Sequence, residues 1–149
     1  MIVTFAGHGD AKISEELKNN IVSAIKANAI EQSILFYCGG YGAFDNACSR
    51  IAKELSNKNP NIKLIFVTPY IDDKRLADIR LNGLYDEIIY PDLENAPRKF
   101  AILKRNEYMV NMADLVIAYV NFKQGGAYKT LVYAKRKGKK VINLGEVQF

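Results

Sequence analysis

Short runs that are apolar throughout alternate with longer stretches in which apolar residues recur every three or four positions. Continuous apolar runs mark strands buried on both faces. The three-to-four spacing marks a helix with one buried stripe. Met1–Ala6 is the first such run. Ser14–Ala27 follows as a helix: Ile13, Leu17, Ile21 and Ile25 fall at four-residue spacing, Ser14 is placed to cap it, and Glu15 and Glu16 lie in the first turn, where the helix dipole favours acids. Ser33–Cys38 reads as the second strand. Ala43–Leu55 reads as the second helix, with Phe44, Ala47, Cys48, Ile51, Ala52 and Leu55 on one stripe. Pro60 separates it from a third strand, Ile62–Thr68. A short helix over Asp72–Arg80 and a short strand over Tyr85–Tyr90 come next. Pro97 opens a helix running to about Ala113. Leu115–Val120 is a strand, Ala127–Lys137 a helix and Lys140–Leu144 the last strand. This alternation predicts one α/β domain over 1–149, a doubly wound, mainly parallel sheet of five to six strands with helices on both faces.

Composition narrows the class. A hydrophobic fraction of 49% with 25% charged residues excludes a disordered chain. No apolar run approaches the ~18 residues needed to cross a bilayer. The N-terminus has no basic stretch before its apolar run, so no signal peptide is read. A cytoplasmic protein with no membrane partner is expected. One histidine and two cysteines are too few for a His/Cys metal centre. Cys38 and Cys48 read as two buried free thiols. No cofactor is required, although Mg2+ carried on ligand phosphates stays open. The cations number 21 and the acids 16. Lys135, Arg136, Lys137, Lys139 and Lys140 account for the whole excess and lie at the end of the last helix, where the dipole favours them. The charge reads as a solvated helix end, and nucleic acid is not an expected partner.

In such folds ligands bind at the carboxyl ends of the strands. The first strand is followed by Gly7-His8-Gly9-Asp10, the second by Gly39-Gly40-Tyr41-Gly42-Ala43-Phe44-Asp45 and the third by Thr68-Pro69-Tyr70. Leu115–Val120 is followed by Gln124-Gly125-Gly126-Ala127. Glycine lets backbone approach a ligand closely, and the next helix presents free N–H groups to an anion. Any one junction could be only a tight turn; two Gly-Gly junctions together point to a phosphate. The Walker A string is absent. The dinucleotide fingerprint fails too, with Lys12 and Asp45 standing at the third glycine position of the two Gly-x-Gly pairs. Asp45 falls in the first turn of the second helix, where it serves the helix dipole or accepts a hydrogen bond from a ribose hydroxyl. Arg105 shares a helix face with Ile102, Met109 and Met112, and Asn106 lies beside it. A cation on an inward stripe must find a partner, either a rim carboxylate or a ligand phosphate. His8 reads as a ligand contact, a turn residue or an acid–base group.

Taken together these positions resemble the Smf/DprA–LOG (SLOG) superfamily of Rossmann-like nucleotide-binding proteins, over nearly the whole chain. The likeness rests on Gly7-His8, on Gly39-Gly40-Tyr41-Gly42-Ala43-Phe44-Asp45, on Arg105-Asn106-x-x-Met109-Val110-x-x-x-Asp114 and on Gly125-Gly126-Ala127 leading to Tyr133-Ala134. The resemblance implies a phosphate-bearing ligand or nucleotide and a homodimer or higher homo-oligomer. Strand-tip position, the Arg105 helix face and the resemblance together give the expected ligand contacts: Gly7, His8, Gly39, Gly40, Tyr41, Gly42, Asp45, Thr68, Arg105, Asn106, Gly125, Gly126 and Ala127. One branch, the cytokinin-activating LOG enzymes, cleaves the N-glycosidic bond of nucleoside monophosphates and carries Pro-Gly-Gly-x-Gly-Thr-x-x-Glu. Here the stretch from Gln124 puts Val132 at the glutamate position, and no acid follows before Glu146. A sensor or sequestering module is therefore the first expectation. A hydrolase with Asp45 as its catalytic carboxylate is the alternative. Single-stranded nucleic-acid binding, as in the DNA-processing branch, comes third; Tyr41, Tyr70 and Tyr128 are the aromatics at predicted strand tips.

Overall fold

A computed structural model describes residues 1–29 and 33–148. The elements are β1 (Ile2–Gly7), α1 (Glu15–Ala29), β2 (Ile34–Cys38), α2 (Ala43–Lys58), β3 (Ile62–Val67), α3 (Asp73–Leu81), β4 (Glu87–Ile89), α4 (Ala101–Met112), β5 (Leu115–Tyr119), α5 (Gly125–Arg136) and β6 (Lys140–Asn143). All pairings are parallel and the strand order is β4-β3-β2-β1-β5-β6. This is the Rossmann-like, doubly wound sheet that the alternation predicts. Among the described residues no helix is long and apolar enough to cross a membrane.

The strand period of two sorts the core into two layers. Val3, Phe5, Phe36, Leu64, Leu115 and Ile117 pack against Leu17, Ile21 and Ile25 of α1 and Phe44, Cys48 and Ala52 of α2. On the other face Ala6, Val116 and Ala118 meet Val110 from α4 and Leu131 and Ala134 from α5. Ser14 caps α1, its Oγ accepting from the Leu17 N–H at 3.0 Å. Asp72 caps α3 by accepting from the Arg75 N–H at 3.2 Å.

Several expectations shift. The strand expected over Tyr85–Tyr90 pairs only through Glu87–Ile89. Ahead of it Asp86 uses its side chain in place of its carbonyl: its N–H donates to Leu64 O and its Oδ2 accepts from the Leu64 N–H. The helix opened by Pro97 begins as a single 3-10 turn, Arg98–Phe100, before α4 proper. Helix α5 starts two residues early, with Gly125 and Gly126 inside its first turn. Met112 is exposed at the end of α4, whose buried residues are Ala101, Arg105, Met109 and Val110.

The residues after β6 tie down the loop that follows β5. Asn143 makes four hydrogen bonds: Oδ1 accepts from Val120 N–H (2.9 Å) and Gly145 N–H (3.1 Å), while Nδ2 donates to Val120 O (3.1 Å) and Val147 O (2.7 Å). Glu146 N–H donates to Asn121 Oδ1 at 3.1 Å. A Cβ at Gly145 would lie 2.4 Å from Val120 O, so only glycine lets the two backbones approach this closely. On the α4 side, Leu35, Tyr37, Lys63, Ile65, Asp86, Glu87 and Ile89 line an open groove of about 370 Å³ across β2–β4.

Candidate functional site

The strand order reverses between β1 and β5, and in sheets of this kind the crevice at that point takes the ligand. A cleft of about 350 Å³ opens there. Its walls are the β1 tip (Gly7, His8, Gly9, Asp10), Tyr41 and Asp45 from the β2–α2 junction, Ile102, Arg105 and Asn106 from α4, and the segment Gln124–Ala127 with Phe122 and Thr130. Nine of the residues read from sequence thus meet in one cavity: Gly7, His8, Tyr41, Asp45, Arg105, Asn106, Gly125, Gly126 and Ala127.

Gly39, Gly40, Gly42 and Thr68 stand behind the wall. A Cβ at Gly40 would fall 2.6 Å from the Phe66 ring. Gly42 has φ +94°, and a Cβ there would fall 2.6 Å from Gly9 Cα. The Ala43 N–H donates to Gly9 O at 2.9 Å, so the first amide of α2 is spent on the neighbouring loop. Gly7 lines the cleft for a packing reason as well, because a Cβ there would overlap Phe44 Cδ2 at 2.3 Å. Thr68 is buried and closes a local turn, its hydroxyl donating to Tyr70 O at 2.7 Å. The first glycine junctions therefore let the tips of β1, β2 and α2 close-pack.

The α5 junction differs. Both glycines are exposed, and a Cβ at Gly125 or Gly126 would meet nothing within 4 Å. Gln124 makes no side-chain cap. The first amides of α5 thus face the cleft with the positive end of the helix dipole behind them, an arrangement that suits an anion.

Arg105 is only 2% exposed. Its Nη1 donates to Gly39 O (3.1 Å) and Val67 O (2.9 Å), and its Nε to Asn106 Oδ1 (2.9 Å). It ties the tips of β2 and β3 to α4 rather than snorkelling to a rim carboxylate. Asp45 lies near it without an ion pair: a Cβ at Gly39 would sit 3.1 Å from both Arg105 Cζ and Asp45 Oδ2. Burial pushes the Asp45 carboxyl up to about 7, against the pull of the Arg105 charge and the Tyr41 backbone N–H. This carboxyl can hold or release a proton near neutral pH. Cys38 and Cys48 beside it are free and buried, and burial pushes the Cys38 thiol up to about 12 and Cys48 upward too, so neither is a nucleophile.

His8 is buried, and its Nε2 accepts from the Asn121 N–H at 2.9 Å. Its ring stacks on Phe122 at 4.1 Å between centroids, 9° from parallel. Of the three strand-tip tyrosines only Tyr41 reaches the cleft. Tyr70 lies under Arg98, and Tyr128 lines a groove between α4 and α5. The basic cluster sits at the far end of α5, where Lys139 Nζ donates to Asn111 O and Arg136 and Lys137 flank the Tyr133 ring. Sequence reasoning missed Phe122: a single aromatic in a tip loop has no periodicity to betray it.

No family model matches the chain. It is 27% identical over 139 residues to YoqJ, an uncharacterised SPbeta prophage-derived protein of Bacillus subtilis, spanning 81% of each chain. Among solved structures it matches DNA processing protein A (DprA) from Streptococcus pneumoniae with a TM-score of 0.65 at 19% identity, over 95% of this chain and 49% of that one. DprA from Helicobacter pylori matches at 0.63 and 16% identity, over 99% of this chain and 66% of that one. The molybdenum cofactor carrier protein of Chlamydomonas reinhardtii matches at 0.60 and 17% identity, over 97% and 78%. The chain thus spans about half of the pneumococcal protein. It shares the fold of DprA, one of the proteins from which the Smf/DprA–LOG superfamily takes its name, and the resemblance read from the motifs holds at the level of the fold.

Proposed function

We propose that the chain is a cytoplasmic binding module for a nucleotide or nucleotide-derived ligand, its phosphate seated on the open amides of Gly125 and Gly126. The observation that carries this reading is the contrast between glycine junctions: only at α5 are glycine and helix terminus left unpacked, and they face a cleft at the switch point of the sheet. No acid stands in the first turn of α5, which favours holding over cleaving. A carrier protein among the structural neighbours is consistent with a fold that keeps its ligand intact. The cleft offers a metal only Asp10 and Asp45 as carboxylates, so Mg2+ would arrive on ligand phosphates.

One observation favours a second reading. Asp45 is a cleft carboxyl poised near neutrality, as acid–base chemistry at a glycosidic bond requires. Single-stranded DNA, which DprA from Helicobacter pylori binds, is a third reading; here the basic cluster stands away from the cleft.

A thermal-shift panel with and without EDTA tests the first reading. A nucleoside monophosphate at a hundred times its Kd stabilises by about 2.7 kcal/mol, or several degrees for a chain of this size. If no phosphate-bearing compound moves the midpoint, the reading is wrong. Chromatography of the same mixtures decides the second: free base, lost in Asp45→Asn, makes the protein a hydrolase.

A further inference from the structure

The cleft has an aromatic lip that the phosphate reading leaves without a role. Phe122 is 46% exposed, although a phenylalanine in a short loop ordinarily turns inward. One face of its ring is occupied by His8 at 4.1 Å, nearly parallel, and both rings line the cavity. His8 cannot swing away easily: it is buried, and Nε2 is held by the Asn121 N–H. The loop is itself fixed, since the Asn121 side chain accepts from the Glu146 N–H and Asn143 grips Val120 on both backbone atoms. Tyr41, 62% exposed, lines the same cleft from the β2–α2 side. Two open rings at one cavity, one of them braced from behind, suit a flat π-system better than a sugar or a phosphate.

We infer that Phe122, braced by His8, is the platform on which the ligand's planar heteroaromatic ring stacks, with Tyr41 closing from the other side. This rests on the phosphate reading of α5 and assigns the other end of the same ligand. The selectivity is for a nucleobase-type ring as such, since every base has a π-face.

The chain contains no tryptophan, so Phe122→Trp places a single reporter on the platform. Adenosine monophosphate and adenosine should quench its emission saturably, and ribose 5-phosphate should not. By calorimetry, Phe122→Leu should bind adenosine monophosphate about tenfold more weakly and ribose 5-phosphate unchanged, while Phe122→Tyr keeps wild-type affinity. Equal affinity of the wild type for adenosine monophosphate and ribose 5-phosphate, with Phe122→Leu unchanged, overturns the platform and leaves the phosphate site standing. Quenching by adenosine with no gain from its phosphate does the reverse. Absence of binding by all three overturns both. Salt-dependent quenching by an oligothymidylate, tighter than by mononucleotide, supports the platform and makes a DNA strand the source of the base.

Discussion

Arg105 is a fully buried charge whose partners are mostly backbone. Breaking such a contact strands two buried carbonyls and takes away the positive charge beside the Asp45 carboxyl. Arg105→Met is expected to cost about 3–5 kcal/mol, read as a lower urea midpoint at unchanged m. Arg105→Lys should recover little, because one ammonium cannot reproduce a planar fork. Asp45 carries the opposite signature. Below pH 4 it is protonated folded and unfolded alike. Between about 4 and 7 the unfolded chain ionises while the folded state keeps its proton, so stability falls as pH rises, and above 7 the penalty is constant at about 4 kcal/mol at most. Asp45→Asn removes it: its melting temperature should match the wild type near pH 4 and exceed it at pH 8. Equal midpoints at pH 8 would show that the carboxyl is not strained by burial. That Arg105 lies on an inward face was legible in the spacing of α4. Its partners were not, since Gly39 O and Val67 O lie 66 and 38 residues away in sequence.

At the scale of elements, the glycine junctions look alike as text and behave differently as structure. Gly7 is the notch into which α2 lowers Phe44. Gly7→Ala should be strongly destabilising, and Phe44→Leu in the same chain should be less damaging than the sum of the two, a coupling a double-mutant cycle would measure. Gly126→Ala should leave chemical stability unchanged or raise it by up to about 1 kcal/mol, while weakening binding of phosphate-bearing ligands. Loss of stability there would place Gly126 with the packing glycines. Only the neighbouring structure separates these cases: Phe44, from the first turn of α2, and Gly9, from the β1 tip, meet glycines to which no sequence pattern links them. The helices and strands themselves were legible because their periods are imposed by burial. The exceptions, the shortened β4 and the early start of α5, are places where a side chain replaces backbone pairing or where glycine enters a helix against its propensity.

Over the whole molecule the sheet is covered unevenly, for the helices on the α4 side leave β2–β4 open. Leu35 is 37% exposed there, with Lys63, Asp86 and Glu87 on the same groove, charges of both signs that suit self-complementary contact about a two-fold axis. Light scattering is expected to give twice the 16.8 kDa chain mass, and Leu35→Glu the monomer without loss of melting temperature. A monomeric wild type would retire that face as an interface. The doubly wound architecture was readable from alternation alone, whereas strand order was not, because it depends on which face each crossover takes. That order has a kinetic meaning. The seam where the order reverses pairs Val3 with Leu115, and Asp114 accepts the Ile2 N–H across a separation of 112 residues. So non-local a seam is among the slowest contacts for a folding chain to close. The cleft does not exist until it has closed, and any ligand that spans it clasps together the two halves that are latest to meet. Its presence should therefore slow unfolding far more than it hastens folding, lengthening the lifetime of the native state.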